Sequence, residues 1–383
     1  MKIDEASRRA RDIPSFIVMD VLEKAHELER EGRNIIHLEI GEPDFTTPEC
    51  ICEAADKAIK QGHTHYTHSL GIIELRQAIC DHYFEKYGVH IVPDQVIVTS
   101  GTSPALFLLF SALLEGGDEI VIADPHYPCY PNFAQFLNAT PVFVPVHEQN
   151  GFQFDPKDIE ARLGPRTKGI LINSPSNPTG TVLSSERMQE IAGLGRTVIS
   201  DEIYHGLVYE GKEHTILEFT DKAFVLNGFS KAYAMTGWRL GYIIAPLSFV
   251  RPLQKMQQNF FISAGSISQW AGVAALTKAG PDVEKMKSIY NERRVYMIQR
   301  LRELGFALRA EPVGAFYMLV NAKHLSSNSY ELAFEILQEA GVGVSPGIDF
   351  GENAEGFLRL SYANSLENIK EGLNRIDAFI KKR

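Results

Sequence analysis

The spacing of hydrophobic positions divides the chain into three stretches. Between residues 14 and 31, apolar side chains recur at helical intervals among charged ones, which predicts an amphipathic helix. Between residues 95 and 245, short apolar runs rich in β-branched residues alternate with helical stretches. The runs of strand length are 95–99, 119–123, 140–146, 169–173, 197–201, 223–227 and 239–245. Such strands, separated by helices, predict an α/β fold with a mostly parallel seven-stranded sheet between helices.

The pattern changes again near residue 283, where a long charged helix is predicted over 283–304. Shorter strands follow it at 307–310, 314–319 and 357–361. A long helix followed by short strands favours a smaller α+β domain. To this domain we also assign the N-terminal segment with its short strand at 35–40. We therefore predict a large domain over residues 45–282. The small domain is predicted to consist of residues 1–44 together with residues 283–383.

Composition excludes several classes of protein. The 383 residues carry a formal net charge of -10, which argues against a broad nucleic-acid interface because such an interface needs a basic face. No stretch reaches the roughly 18 apolar residues that predict a membrane-spanning helix, and the first residues show no apolar run typical of a secretory signal. The four cysteines form no C-x-x-C pair, so we predict no metal site. A cytoplasmic location with free thiols is expected.

Polar and aromatic side chains follow the predicted strands at the points where the strands end. In open parallel sheets, ligands bind beyond the carboxyl ends of the strands. The residues concerned are Ser100, Gly101 and Thr102 after the first strand, Tyr127 after the second, Asn177 after the fourth, Asp201 and Tyr204 after the fifth, Ser230 and Lys231 after the sixth, and Arg239 at the start of the seventh. Each has an ordinary structural explanation, such as a helix cap, a turn or simple packing.

Their joint position at one sheet edge is more informative than any one of them. Hydroxyls and a glycine at a helix N-terminus favour an anion such as phosphate. Lys231 lies among aromatic, small and apolar residues, and burial there lowers the pKa of the amine and makes it a nucleophile suited to Schiff-base formation. With the carboxylate of Asp201 and the ring of Tyr127, the set predicts a flat, phosphorylated, nitrogen-containing aromatic aldehyde as ligand.

These motifs resemble the class I/II aminotransferases, enzymes of fold type I that use pyridoxal 5′-phosphate (PLP), with aspartate-aminotransferase-like features. The resemblance covers nearly the whole chain, from 41 to 361. It rests on the motifs Gly41-Glu42-Pro43-Asp44, Asn177-Pro178-Thr179-Gly180, Asp201-Glu202-Ile203-Tyr204, Ser230-Lys231, Met235-Thr236-Gly237-Trp238-Arg239 and Leu358-Arg359-Leu360-Ser361, which occur in the family's order and at family-like spacing.

The resemblance implies a role for each matching position. Lys231 would hold PLP as a Schiff base and move a proton, and Asp201 would pair with the pyridinium nitrogen. Tyr204 and Asn177 would hydrogen-bond the phenolic oxygen, and Tyr127 would stack on the ring. The phosphate would be held by Ser100, Gly101, Thr102, Ser230 and Arg239. Many relatives carry a serine where this chain has Gly228, so its phosphate site is expected to rely more on Ser230 and Thr102.

The resemblance also implies how substrates and a second subunit take part. Arg359 would clamp the substrate α-carboxylate, and Gly41 would let the backbone approach from the other side, next to Asn177. Tyr66 would reach the phosphate of a neighbouring subunit, which makes the expected protein a homodimer with a shared active site.

The expected activity is a transaminase that moves an amino group between an L-amino acid and a 2-oxo acid. Aspartate, alanine, aromatic and branched-chain donors all remain open, and aspartate or alanine are the first to try. A PLP-dependent C–S lyase or another elimination enzyme on the same fold is the main alternative. A non-catalytic protein that keeps the PLP fold is a weaker one, since residues 1–30 contain no DNA-binding extension. A nicotinamide-dependent dehydrogenase lacks support because no G-x-G-x-x-G follows the first strand.

Overall fold

The computed structural model describes residues 6–383. Residues 1–5 of the predicted small domain lie outside the described range. The strands are β1 (Ile36–His37), β2 (Val96–Thr99), β3 (Glu119–Asp124), β4 (Thr140–Pro145), β5 (Thr167–Asn173), β6 (Thr197–Asp201), β7 (Ala223–Gly228), β8 (Gly241–Ile244), β9 (Tyr317–Asn321), β10 (Val342–Gly343), β11 (Ser345–Pro346) and β12 (Phe357–Ser361).

Helices account for most of the remaining regular structure. They are α1 (Arg8–Asp12), α2 (Ile17–Arg30), α3 (Glu49–Lys60), α4 (Ile73–Tyr87), α5 (Thr102–Leu113), α6 (Cys129–Phe136), α7 (Pro156–Glu160), α8 (Ser185–Gly193), α9 (Leu247–Phe260), α10 (Ser266–Lys278), α11 (Gly280–Glu303), α12 (Ser329–Glu335) and α13 (Leu366–Lys382). The stretches that form α9 and α10 received no helix prediction from the sequence pattern.

The central sheet has seven strands in the order β2-β8-β7-β6-β5-β3-β4. Strands β3 to β7 run parallel to one another, whereas β8 is antiparallel to both of its neighbours, β2 and β7. The start of β8 therefore lies at the same edge as the carboxyl ends of the other strands. The predicted α/β fold with a mostly parallel seven-stranded sheet is confirmed.

The sheet is buried on both faces because its strands are apolar at nearly every position. Strands β2, β7 and β8 are buried throughout their length. One apolar cluster joins α4, α10 and one face of the sheet, and another joins α5, α9 and the opposite face. This arrangement leaves the strand ends as the place where polar groups can face a cavity.

The C-terminal part has its own sheet and core. Strands β11, β12 and β9 form an antiparallel sheet, and β1 pairs in parallel with β10. A separate apolar cluster includes residues of α11, β9, β12 and α13 together with Ile36 and Leu38, so the N-terminal segment packs with the C-terminal part. The division at residues 44/45 and 282/283 stays a prediction.

Three predicted strands outside the central sheet differ from the structure, and one of them, predicted at 314–319, is displaced to β9. The predicted strand at 307–310 is wrong: it is reduced to a single bridge between Ala307 and Asn321, because β9 pairs along its length with β12 instead. The strand predicted at 35–40 shortens to β1, since β10 offers a partner only to Ile36 and His37. Leu38 continues the contact with one hydrogen bond to Gly343.

Candidate active site

A cavity opens at the carboxyl edge of the central sheet. Most of the predicted site residues line it: Gly41, Thr102, Tyr127, Asn177, Asp201, Tyr204, Ser230, Lys231, Arg239 and Arg359. Ser100 and Gly101 occupy the adjacent turn between β2 and α5. Residues separated by more than 300 positions in sequence, such as Gly41 and Arg359, thus share one cavity.

Lys231 follows β7 and directs its amine across the cavity to the N-terminal segment. Its Nζ donates a hydrogen bond of 2.6 Å to the backbone carbonyl oxygen of Gly41. Burial lowers the pKa of Lys231 to about 8, although the nearby Glu42 acts in the opposite direction. At pH 7 roughly a tenth of this amine is therefore unprotonated and able to act as a nucleophile, far more than for an ordinary lysine.

Asp201 ends β6 and is held by two donors. Tyr130 Oη donates a 2.6 Å hydrogen bond to Oδ2, and the backbone N–H of Ile203 donates to Oδ1 at 3.1 Å. Burial raises the pKa of Asp201 to about 6, while Tyr130 favours the ionised form. A cationic ring nitrogen placed against this carboxylate would stabilise its charge.

Asn173 connects the ends of two neighbouring strands. Its Nδ2 donates to the carbonyl oxygen of Asp201 at 3.0 Å, and its Oδ1 accepts from the backbone N–H of Asn177 at 2.8 Å. Asn173 and Asp201 are register partners in β5 and β6. This residue thereby fixes the relative positions of the carboxylate and the amide that line the cavity.

Gly101 and Arg239 form a compact anion cradle at the start of α5. Gly101 has a φ of +102°, and a Cβ atom at this position would lie 2.8 Å from Arg239 Nη2. Glycine thus allows the backbone and the guanidinium to approach each other at a helix N-terminus, where N–H groups and the helix dipole favour anions. Arg239 lies two residues ahead of β8 in a left-handed conformation, with a φ of 52°.

Gly228 lies in the same region, and its surroundings explain why this chain has no serine hydroxyl at that position. A Cβ atom there would lie 3.0 Å from the carbonyl oxygen of Leu240 and 3.2 Å from Thr102 Cγ2. A serine would have to displace these neighbours. Of the hydroxyls predicted for the phosphate site, Thr102 and Ser230 line the cavity.

Arg359 lies on β12 and is almost completely buried, with 2% of its surface exposed. Its Nη1 donates to Asn177 Oδ1 at 3.0 Å, and its Nη2 donates to Ser345 Oγ at 3.1 Å and to the carbonyl oxygen of Glu39 at 2.5 Å. The Nε atom is buried and has no hydrogen-bond partner among the described residues. A carboxylate in the cavity would supply the missing acceptor.

Two tyrosine side chains, Tyr204 and Tyr317, also line the cavity. The hydroxyls of Tyr204 and Tyr317 lie 2.9 Å apart, and the Tyr317 ring lies 4.3 Å from the Arg359 guanidinium carbon. The Tyr317 hydroxyl also borders Gly41, because a Cβ atom at Gly41 would lie only 2.1 Å from it. Only glycine fits at position 41 with this tyrosine in place.

The lining residues that the sequence prediction missed include Tyr130, Asn173, Ser103 and Tyr317. Tyr130 follows Tyr127 by three positions, and its backbone N–H donates to the Tyr127 carbonyl oxygen at 3.1 Å; this closeness in sequence is the signal that could have found it. One predicted residue, Tyr66, is not in the cavity of its own chain, and 83% of its surface is exposed.

The residues present fit a phosphorylated aromatic aldehyde such as PLP. A nucleophilic amine, a buried carboxylate, an anion cradle that a Cβ atom would fill and a buried arginine with an unpaired Nε all surround one cavity. Among the described residues, no helix is long and apolar enough to cross a bilayer. Fold and site together define an enzyme of the PLP-dependent class.

Comparison with known proteins places the chain within that class. A family model for class I and II aminotransferases matches residues 33–376. The chain belongs to this family, whose members use PLP, and it is a PLP-dependent transaminase.

Several relatives align over nearly the whole chain. A (5-formylfuran-3-yl)methyl phosphate transaminase from Methanocaldococcus jannaschii is 44% identical, with 98% of this chain and 100% of the relative covered. An aspartate aminotransferase from Pyrococcus horikoshii is 38% identical, with 94% and 93% covered. The solved aspartate aminotransferase of Thermus thermophilus with maleate superimposes with a TM-score of 0.94 at 37% identity, covering 98% of this chain and all of that one.

A further solved structure, from Methanococcus jannaschii, is described as similar in its active site to kynurenine aminotransferases. It superimposes with a TM-score of 0.92 at 44% identity, and the match covers 98% of this chain and all of that one.

Proposed function

We propose that Lys231 is the residue that holds PLP and moves the substrate proton. The observation that carries this proposal is the position of its amine, which faces the cavity between Asp201 and Arg359 with a pKa lowered to about 8. An amine that is partly unprotonated at neutral pH is able to attack an aldehyde and, once released, to accept and return a proton.

PLP, when bound, supplies a ring that accepts electrons and so stabilises negative charge on the substrate Cα. Asp201 supports this chemistry by accepting a hydrogen bond from the ring nitrogen and keeping it protonated. Tyr130 and the Ile203 N–H hold the carboxylate in one orientation. Tyr204 donates toward the phenolic oxygen, and so does the Asn177 amide, whose Oδ1 is already occupied by Arg359.

The phosphate group is assigned to the cradle at the start of α5. Arg239 supplies the charge, and the backbone at Gly101 approaches because it carries no side chain. Hydroxyls come from Ser100, Thr102 and Ser230. Tyr127 lies on the cavity wall, where its ring is able to stack on the cofactor.

Substrate is assigned to the side of the cavity formed by Arg359, Asn177 and Gly41. The α-carboxylate pairs with the Arg359 guanidinium, whose Nε lacks a partner. The reaction carries an amino group from an L-amino acid to a 2-oxo acid, and aspartate and alanine are the donors to try first. The relative at 44% identity favours a second acceptor to test, an aldehyde that carries a phosphate group.

The direct test is the absorption spectrum of the purified holoenzyme and its Lys231→Ala variant. The wild type should show the visible band of a lysine-bound cofactor. An added amino acid donor should remove this band in a single half-reaction, without further turnover. Lys231→Ala should lose the band and essentially all transamination, whereas the exposed Lys212→Ala should keep both. Continuous release of ammonia from one amino acid would instead indicate an elimination enzyme.

We also propose a homodimer in which Tyr66 reaches the phosphate of the partner. Support comes from the exposure of Tyr66 and from exposed aromatic side chains such as Phe260, 56% exposed, whose ring centroid lies 6.2 Å from that of Phe107. Light scattering should give twice the 42.8 kDa chain mass. Tyr66→Phe should weaken cofactor binding in a protein that is still dimeric, and a monomeric holoenzyme would contradict the proposal.

A cytoplasmic location is proposed from the unpaired cysteines Cys50, Cys52, Cys80 and Cys129, which suit a reducing compartment. Cell fractionation tests this proposal, and recovery in a secreted fraction would contradict it.

A further inference from the structure

One wall of the cavity is apolar and comes from the N-terminal helix. Side chains at the start of α2 and just before it line the cavity together with the site residues: Phe16, Val18, Met19 and Leu22. Phe133 and Leu106 from the large sheet's helices extend the same surface. Because it shares one cavity with Lys231, this apolar surface is available to the part of a substrate that points away from the reacting carbon.

This wall is fixed in place by a contact from the other end of the chain. Asp349 accepts hydrogen bonds of 3.1 Å from the backbone N–H groups of both Ile17 and Val18. These are the first N–H groups of α2, which have no partner within the helix. The Phe16 ring additionally packs edge-on against Tyr127, with centroids 6.0 Å apart. The apolar wall is thus a built part of the site.

The charges that line the cavity are already engaged. Its cationic side chains, among the described residues, are Lys231, Arg239 and Arg359. In the function proposed above, Lys231 binds the cofactor aldehyde, Arg239 binds the phosphate and Arg359 binds one substrate carboxylate. The carboxylates that line the cavity are Asp201 and Glu42. A second carboxylate on the substrate therefore finds no cation of this chain in the cavity.

We infer that the preferred substrates carry a single anionic group on an apolar body, best of all an aromatic ring, and that dicarboxylic amino acids are disfavoured. This inference rests on the proposed function, because it takes Arg359 as the carboxylate clamp. An aromatic side chain removes apolar surface of Phe16, Met19 and Leu22 from water. A side-chain carboxylate would lose hydration without gaining a cationic partner from this chain.

A substrate carboxylate that is left without a partner costs free energy. This cost corresponds to a roughly 10- to 100-fold loss of rate or affinity. The expected preference is measured on the holoenzyme with one amino acid at a time, by following the single loss of the cofactor's visible band. L-phenylalanine and L-tyrosine should react with a second-order rate constant about 10- to 100-fold above that of L-aspartate and L-glutamate. A faster reaction with L-aspartate would overturn the inference and leave the proposed function standing.

A second readout does not depend on turnover. Calorimetric titration of the holoenzyme should give a dissociation constant for 3-phenylpropionate at least about tenfold below that for succinate. The opposite order would overturn the inference even if no amino acid reacts. Failure of every amino acid to change the cofactor band would contradict the proposed function itself, so the two failures are distinguishable.

A matched pair of variants tests whether the apolar wall sets the preference between apolar and dicarboxylic substrates. Met19→Arg adds a guanidinium to the wall at a side chain that is 45% exposed, and it should raise the rate with L-aspartate relative to L-phenylalanine by about tenfold or more. Glu23→Gln changes the net charge by the same amount on the exposed face of α2 and should leave the ratio unchanged. An equal shift of this rate ratio in both variants would overturn the assignment of substrate preference to the apolar wall.

Discussion

The amine of Lys231 donates a 2.6 Å hydrogen bond to the carbonyl oxygen of Gly41, a residue 190 positions earlier in the chain. The contact joins the end of β7 to the N-terminal segment across the cavity. It places the nucleophile beside the backbone position that borders Tyr317 and, through Tyr317, Arg359. The site therefore depends on how closely this glycine approaches its neighbours.

The first prediction concerns that approach. Gly41→Ala places a Cβ atom 2.1 Å from the Tyr317 hydroxyl, so either the ring or the N-terminal segment has to move. We expect the KM for the amino donor to rise by about tenfold or more, since a small displacement at a positioned site costs this much. Steady-state kinetics measure it. Gly193→Ala is the control, because nothing lies within 4 Å of a Cβ atom there, and an equal effect in the control would contradict the account.

Tyr130 is expected to act through Asp201. Tyr130→Phe removes the 2.6 Å hydrogen bond to the carboxylate, and the pKa of Asp201 should rise further because this bond favours the ionised form. We expect kcat to fall roughly tenfold and the acidic limb of the pH profile to move to higher pH. The exposed Tyr330→Phe serves as control. A drop in kcat with an unmoved pH profile would point to packing alone.

The pKa of Asp201 also predicts a pH-dependent stability of the apoprotein. Burial raises this pKa from 3.8 to about 6. The ionised form is therefore disfavoured on folding, and the stability present below pH 3.8 is lost as the pH rises through 6. Asp201→Asn removes this cost, so apo Asp201→Asn should gain up to about 3 kcal/mol relative to wild type between pH 4 and pH 7.5.

Urea unfolding of both apoproteins at the two pH values measures this gain. The same substitution should weaken cofactor binding, since the amide carries no charge to pair with the ring nitrogen. A stability difference that does not change with pH would contradict the assigned pKa shift.

The sequence pattern predicted the sheet well because strand burial, and the alternation of strands with helices, leave a direct mark on the sequence. All seven apolar runs became strands of one sheet, and the motifs after them lie at one edge. Local patterns do not encode which distant side chains meet there. Tyr317 and the α2 wall are brought to the site by packing between segments far apart in sequence, as the hydrogen bonds that Asp349 accepts from Ile17 and Val18 illustrate.

The N-terminal segment is also held by an ion pair at its far end. Arg293 on α11 is buried and donates two hydrogen bonds, of 2.8 and 2.9 Å, to the partly exposed carboxylate of Asp44. Arg293→Ala should lower the free energy of unfolding by roughly 1–3 kcal/mol, since it removes charge-assisted bonds. Chemical denaturation measures this loss.

The control for that prediction is Arg302→Ala. Arg302 pairs with Glu311 on the surface, with 50% and 42% of the two side chains exposed, and its loss should cost less than about 1 kcal/mol. Equal losses in the two variants would contradict the role given to the Arg293–Asp44 pair.

Covalent mapping of the cofactor tests the central claim most directly. Treatment of the holoenzyme with borohydride converts the link between a lysine amine and the cofactor aldehyde into a stable amine, which mass spectrometry locates after proteolysis. We predict one phosphopyridoxyl group per chain, on the peptide that contains Lys231. A group on a different lysine, or a holoenzyme that retains no covalent label, would contradict the account.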